Sequence, residues 1–334
     1  MSELKSIALK IISSGKGILA ADESNGTMTK RLDSVGISSN PENRLKFRST
    51  LFKSESMKSC IGGVILYDET IKQSINSNSI PSLILEAGAI PGIKVDTGAK
   101  TLSSSKEEKI TEGLDGLRDR LKAYYKLGAR FAKWRGVYSI SESYPSKVAI
   151  STNAHALARY ASLVQESGMV PIVEPELLMD GDHNSKTCLD KTTEVIKKCY
   201  EELEINKVDL KGTILKPNMI LPGSNSEEKI TSEEIAKLTL QCLKNSVPSE
   251  VPGIAFLSGG QSELEATENL NLINVNNNTD FIMTYSYGRA LQQNALKYWS
   301  KNIQDTKGTQ KVFNHRAEMC SLAARGKWSP KLEN

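Results

Sequence analysis

Eight short runs with β character recur along this chain at intervals of roughly 27 to 45 residues, near 17–22, 62–67, 90–95, 130–138, 170–176, 212–219, 253–259 and 280–287. Segments with helical spacing fill most of the gaps. Glu107 to Leu127 carries Ile110, Leu114, Leu117, Leu121 and Tyr124 on one stripe, and Thr231 to Leu243 opens with Thr231-Ser-Glu-Glu234, the spacing of a capping box. Strand then helix, repeated eight times, specifies an α/β fold with a parallel sheet and helical crossovers. Eight units in about 250 residues is the size of a TIM (β/α)8 barrel. An open doubly wound sheet alternates in the same way, but it usually carries GxGxxG after its first strand; here that position reads Asp22-Glu-Ser-Asn-Gly26.

No stretch rich in Pro, Gly or Ser divides the 334 residues, so one domain over 1–334 is expected. Leu4, Ile7, Ile11 and Ile12 predict a short helix before the first strand. Residues 72–82 are polar and read as a loop, and the residues from about 327 read as a frayed tail. Net charge is +4 with the lysines dispersed, which gives little support to nucleic-acid or membrane binding. No run approaches the length of a membrane span, and no signal-peptide core opens the chain. The cysteines, Cys60, Cys188, Cys199, Cys242 and Cys320, form no CxxC pair and are odd in number, which favours a reducing, cytoplasmic setting.

Charge enters the apolar runs at or near their C-terminal ends: Asp22, Lys94, Lys133 with Arg135, Glu174 with Glu176, and Lys216 in Gly212-Thr-Ile-Leu-Lys-Pro-Asn-Met219. Members of each pair lie two apart and share one face of a strand. In a TIM barrel such positions converge on one mouth. A buried ammonium must be paired, neutralised or used. Salt bridges lining a barrel are one reading of the set. The other is a Schiff-base enzyme, in which an iminium on Lys216 is the electron sink for making or breaking a carbon–carbon bond. An ordinary lysine, with a pKa of about 10.4, is neutral at pH 7 in only a few molecules per ten thousand. The imine reading therefore asks for a neighbouring cation, for which Lys133 is the candidate, and for proton carriers, for which Glu174 and Asp22 are.

Two glycine motifs stand where this fold usually binds phosphate: Ser258-Gly259-Gly260 near the end of the seventh run and Ser286-Tyr-Gly288-Arg289 near the end of the eighth, each before a helical pattern. A second anion has candidates in Lys94 and Arg135, or in Ser24, Thr27 and Arg31. Two anion sites around an imine-forming lysine point to a doubly phosphorylated keto substrate. Metal ligation is poorly supported by three histidines: His155 falls in a helical pattern, and His183 with Asp182 reads as a solvated polar turn.

The segments Gly17-Ile-Leu-Ala-Ala-Asp-Glu-Ser24, Gly92-Ile-Lys-Val-Asp96, Phe131-Ala-Lys-Trp-Arg135, Val173-Glu-Pro-Glu176, Leu215-Lys-Pro-Asn218, Phe256-Leu-Ser-Gly-Gly-Gln261 and Ser286-Tyr-Gly-Arg289 resemble class I fructose-1,6-bisphosphate aldolase, in order and over nearly the whole chain. The resemblance implies a cofactor-free, metal-free reversible cleavage of fructose 1,6-bisphosphate through an imine on Lys216. Glu174 would be the acid and base of carbinolamine chemistry, assisted by Glu176. Asp22 would take the C4 hydroxyl proton, with Lys133 steadying charge beside it. It also implies that Ser258, Gly259, Ser286, Gly288 and Arg289 meet the C1 phosphate, that Ser24, Thr27, Lys94 and Arg135 meet the C6 phosphate, and that Arg31 contacts substrate. A homotetramer is the family's usual form, and some members bind actin or adhesin tails. Many members close with a tyrosine that helps proton exchange on the enamine. This sequence ends in Glu333-Asn334, so the expectation is either a late protonation step slower than normal or a sequence cut short of that tail.

Overall fold

The computed structural model describes residues 3–103 and 105–334; Met1, Ser2 and Ser104 lie outside the described residues. The eight expected runs form strands β1 (Gly17–Ala21), β2 (Ile61–Leu66), β3 (Ile90–Lys94), β4 (Phe131–Tyr138), β5 (Val170–Leu177), β6 (Ile214–Leu215), β7 (Gly253–Phe256) and β8 (Ile282–Tyr287). They pair in that order and β8 returns to β1, closing a parallel TIM barrel. Period-two alternation sorts each strand into an inward and an outward row. On β4, Ala132 and Trp134 face the outer helices, while Phe131 joins the interior cluster of Ile18, Ile65, Val170, Ile172, Ile214 and Ala255.

That interior cluster fills only the N-terminal end of the barrel. Helix Glu3–Ile12 covers this end, burying Ala8, Ile11 and Ile12 against the cluster; burial is worth about 1.5–3 kcal/mol for each large aliphatic side chain. The fit depends on Gly62, where an added Cβ would collide with the carbonyl oxygen of Ile11. With that end packed, inward positions further along each strand belong to the opposite mouth.

Four local expectations are revised. The stripe from Glu107 to Leu127 is not one helix: Lys109–Glu112 is a strand paired antiparallel with Gly98–Thr101, and only Leu117–Lys126 is helical. Gly113 (φ +124°) and Gly116 (φ +65°) sit between them in the left-handed region, which ends the helical pattern on the N-terminal side. Segment 72–82 holds a two-residue hairpin, Ser74–Ile75 with Asn78–Ser79, and the start of helix Ile80–Glu86, capped by the Ser79 hydroxyl. The sixth strand is two residues long because Pro217 has no N–H to continue the ladder. The segment from 327 is docked rather than frayed: Trp328 donates its backbone N–H to Asn271 and its indole N–H to Glu333, which also pairs with the buried Arg316.

Candidate active site

Inward parity carries the charges into the mouth. On β4 and β5, Phe131 and Ile172 belong to the interior, so Lys133, Arg135, Glu174 and Glu176 follow on the same rows. Registers bring Lys94 beside Lys133 and Arg135 beside Glu174. Ile214 pairs with Ile172 and Leu215 with Val173, and the Lys216 N–H donates to the Val173 carbonyl at 2.8 Å. Lys216 is therefore held next to Glu174 even though β6 has ended.

Four side chains form a buried chain of alternating charge. Asp22 Oδ2 lies 3.1 Å from Lys133 Nζ, Lys133 Nζ lies 2.8 Å from Glu174 Oε2, and Glu174 Oε1 lies 3.0 Å from Lys216 Nζ. Lys216 is 4% exposed. Glu174 Oε2 meets Lys133 as an ion pair without an aligned hydrogen bond. The cation sought beside Lys216 is thus present, but both ammoniums are bound to the two oxygens of one carboxylate. Two further pairs stand at the rim: Lys94 with Asp96 at 2.9 Å, and Arg135 with Glu176 at 2.9 Å.

These contacts separate the two glutamates. Burial alone would raise the Glu174 carboxyl, but Lys133, Lys216 and Arg135 outweigh it and hold it below the usual range. Burial dominates at Glu176, and with Glu174 as a like-charged neighbour it lies above that range despite Arg135. Asp22 is held down at about 2: burial opposes this, and Lys133, Lys216 and Lys94 together overcome it. Lys133 is raised because Asp22, Glu174 and Asp96 outweigh its desolvation. Neighbouring carboxyls pushed in opposite directions are the usual mark of a base and an acid.

The mouth is a cavity of about 1230 Å³, and all fifteen residues singled out from the sequence line it. Ser258 to Gln261 make a turn, closed by the Gln261 N–H to Ser258 carbonyl bond at 3.1 Å, just before helix Glu263–Val275. Gly288 is the N-cap of helix Arg289–Lys301, and Ser24 caps helix Asn25–Asp33, accepting from the Thr27 N–H. The Ser286 hydroxyl is buried without a partner. In the cyclic strand order β3 and β4 stand across the barrel from β7 and β8, so Lys94 and Arg135 face the two glycine motifs over the lysine. Ser24 and Thr27, after β1, lie on the side adjoining β8. The Arg31 guanidinium reaches the cavity while paired with Glu23; its Nε and Nη2 are buried and unpartnered.

Several lining residues had no assigned role in the sequence. Asp96 was legible in principle, being two residues beyond Lys94. Lys297 was too: Arg289, Gln293 and Lys297 recur every four residues and line the cavity from one helix face. Glu23 was not, because its role comes from Arg31 and from Arg48, 25 residues on in helix Pro41–Phe52. His183, expected in a solvated turn, is buried, with both ring nitrogens unpartnered and its carbonyl accepting from the Gly223 N–H. Among the described residues no group of three or more His, Cys, Asp and Glu is arranged to hold a metal ion. No described helix is long and apolar enough to cross a membrane.

Comparison with known proteins points the same way as the geometry. The family model described as fructose-bisphosphate aldolase class-I matches residues 3–334. A Xylella fastidiosa protein named probable fructose-bisphosphate aldolase class 1 is 47% identical over 333 residues, covering 98% of this chain and 99% of that one. Human fructose-bisphosphate aldolase C is 49% identical over 336 residues, covering 99% and 92%. Among solved structures, the fructose-bisphosphate aldolase from Plasmodium falciparum, crystallised in complex with TRAP and a small-molecule inhibitor, superposes with a TM-score of 0.96 at 43% identity, over 98% of this chain and 95% of that one.

Proposed function

The chain belongs to the class-I fructose-bisphosphate aldolase family, and from that footing we propose that Lys216 carries the imine through which it cleaves its substrate. The reaction is the reversible aldol cleavage of D-fructose 1,6-bisphosphate to dihydroxyacetone phosphate and D-glyceraldehyde 3-phosphate, a step of glycolysis. The observation that carries the residue assignment is the contact of a buried lysine amine with Glu174 at 3.0 Å, at the C-terminal mouth of the barrel.

The Lys216 ammonium passes its proton to Glu174, and the freed amine adds to the C2 carbonyl. The carbinolamine then loses water as a carboxylic acid, Glu174 or Glu176, protonates the departing hydroxyl, and the nitrogen lone pair forms the iminium. Asp22, kept ionised by Lys133, takes the C4 hydroxyl proton as the C3–C4 bond breaks and its electrons move into the iminium, giving the enamine. Lys133 lies between Asp22 and Glu174 and stabilises negative charge on either. The C1 phosphate is met by Ser258, Gly259, Ser286, Gly288 and Arg289, where two helices begin. The C6 phosphate is met by Lys94 and Arg135 with Ser24 and Thr27, and Arg31 turns its free donors to the same ligand. A cytoplasmic homotetramer acting on phosphorylated sugars, with actin or an adhesin tail as a further partner, completes the reading carried over from the family. A purely scaffolding role has no observation behind it, since the four groups of the buried chain are intact and in contact.

Borohydride reduction in the presence of substrate, followed by peptide mass spectrometry, tests the assignment. The expected adduct is on Lys216, with cleavage unaffected by EDTA and absent in Lys216→Ala. An adduct elsewhere, or turnover surviving in that variant, overturns it.

A further inference from the structure

Arg135 is offered above as a phosphate ligand, yet it is already engaged: its Nη1 donates to Glu176 Oε2 at 2.9 Å. The two partners differ in freedom. The Arg135 side chain is 42% exposed, whereas that of Glu176 is 12% exposed. Glu176 has no other ion-pair partner among the described residues, and its Oε1 lies 3.3 Å from where a Cβ on Gly259 would stand, beside the phosphate loop after β7. A phosphate dianion is a better bidentate partner for a guanidinium than one carboxylate oxygen. When Arg135 turns to it, a buried carboxylate is left behind with new negative charge nearby.

Resting on the substrate assignment above, we infer that anion binding at Arg135 releases Glu176 from its ion pair and that Glu176 then takes up a proton from solvent. The acid form is thereby made when substrate phosphate is in place, and not before. The charged groups acting on Glu176 are Arg135 and Lys133 from β4, Glu174 on its own strand and Lys216 after β6. Burial already pushes this carboxyl up, with Arg135 the main cation opposing it, so removing that opposition moves it further the same way. Glu174 still has Lys133 and Lys216 on its two oxygens as the anion binds, so the two glutamates enter the reaction as one base and one acid.

The test uses sulfate, which carries no titrating proton between pH 6 and pH 8, and isothermal calorimetry of the whole protein in buffers of different ionisation enthalpy. Wild type is expected to take up a proton, approaching about one per chain as the pH rises to where the free protein holds Glu176 ionised. In Glu176→Gln the uptake vanishes, while sulfate binds more tightly by about tenfold because Arg135 has lost its competitor. An infrared difference spectrum of wild type labelled with 13C-glutamate, showing a protonated carboxyl band on sulfate addition, checks the result without any variant. Sulfate binding without proton uptake, uptake retained in Glu176→Gln, or weaker binding in that variant overturns the inference. None of these outcomes touches the Lys216 adduct, which stands or falls by borohydride trapping.

Discussion

Lys133→Met isolates what the central ammonium does. Among the described residues it removes the only cation in direct contact with Asp22 and one of two on Glu174, while a methionine keeps most of the side-chain volume. Folding lowers Asp22 from 3.8 to about 2, a stabilisation on the order of 2 kcal/mol at neutral pH. The sign follows from the depression: the stability is fully present above 3.8 and is lost as pH falls through about 2. In the variant burial acts on Asp22 against Lys216 and Lys94 alone, and that contribution largely disappears. Leaving buried carboxylates short of a partner costs about 3–5 kcal/mol in all.

Wild type and variant should therefore differ most above about pH 4, and the gap should narrow as pH falls toward 2. Urea denaturation followed by circular dichroism at pH 7, 5, 4 and 3 reads this as converging midpoints. Cleavage at neutral pH should fall by at least about a hundredfold, since in the proposed mechanism the charge shifting between Asp22 and Glu174 loses the ammonium that stands between them. A stability gap that stays constant from pH 7 to pH 3 would refute the reasoning, because lost packing is pH-independent and lost charge pairing is not.

Arg289→Ala should raise KM by about 10- to 100-fold with a smaller change in kcat, the loss of one charged hydrogen bond to phosphate; steady-state kinetics showing kcat falling with KM unchanged would contradict it. Gly62→Ala forces a Cβ against Ile11 and should lower the unfolding free energy by about 1–3 kcal/mol, read as a lower urea midpoint, while leaving KM near wild type. Glu333→Ala strips the carboxylate from the buried Arg316 and from the Trp328 indole, and should cost about 1–3 kcal/mol. An unchanged melting temperature would mean that the C-terminal segment is not held by this contact.

The barrel and the positions of its charges were legible in the sequence because both rest on local periodicity. Alternation of strand and helix needs only neighbours in sequence, and so does the parity that sends Lys133 and Arg135, or Glu174 and Glu176, to one face. The helix over 107–127 failed because an apolar stripe at helical spacing was counted across Gly113 and Gly116, whose positive φ ends the pattern. The docked tail failed for another reason: Lys327 to Asn334 is polar enough to look solvated, and the contacts that hold it, Arg316 and Asn271, come from other helices. Glu23 was illegible in the same way, since nothing near it in sequence announces Arg48.

Pairing within the mouth was the part no pattern contained, and it changes how ligand binding works. Lys94, Lys133, Arg135 and Lys216 meet Asp22, Asp96, Glu174 and Glu176 in contacts of 2.8 to 3.1 Å. Within these contacts cations and carboxylates are equal in number, so this part of the mouth is not a bare basic pocket waiting for phosphate, although Arg289 and Lys297 also line the cavity. A phosphate reaching Lys94 or Arg135 must exchange for a carboxylate already there, and its net gain is the difference between two ion pairs. Affinity for a single phosphate should accordingly be modest, and salt should weaken it through the half-exposed Arg135 more than through the buried chain. The inner contacts have no such exchange to make: Lys216, Glu174, Lys133 and Asp22 keep one another charged and oriented while the rim trades partners. Substrate binding and proton placement are then carried by separate layers of the same mouth, with Glu176 the group that belongs to both.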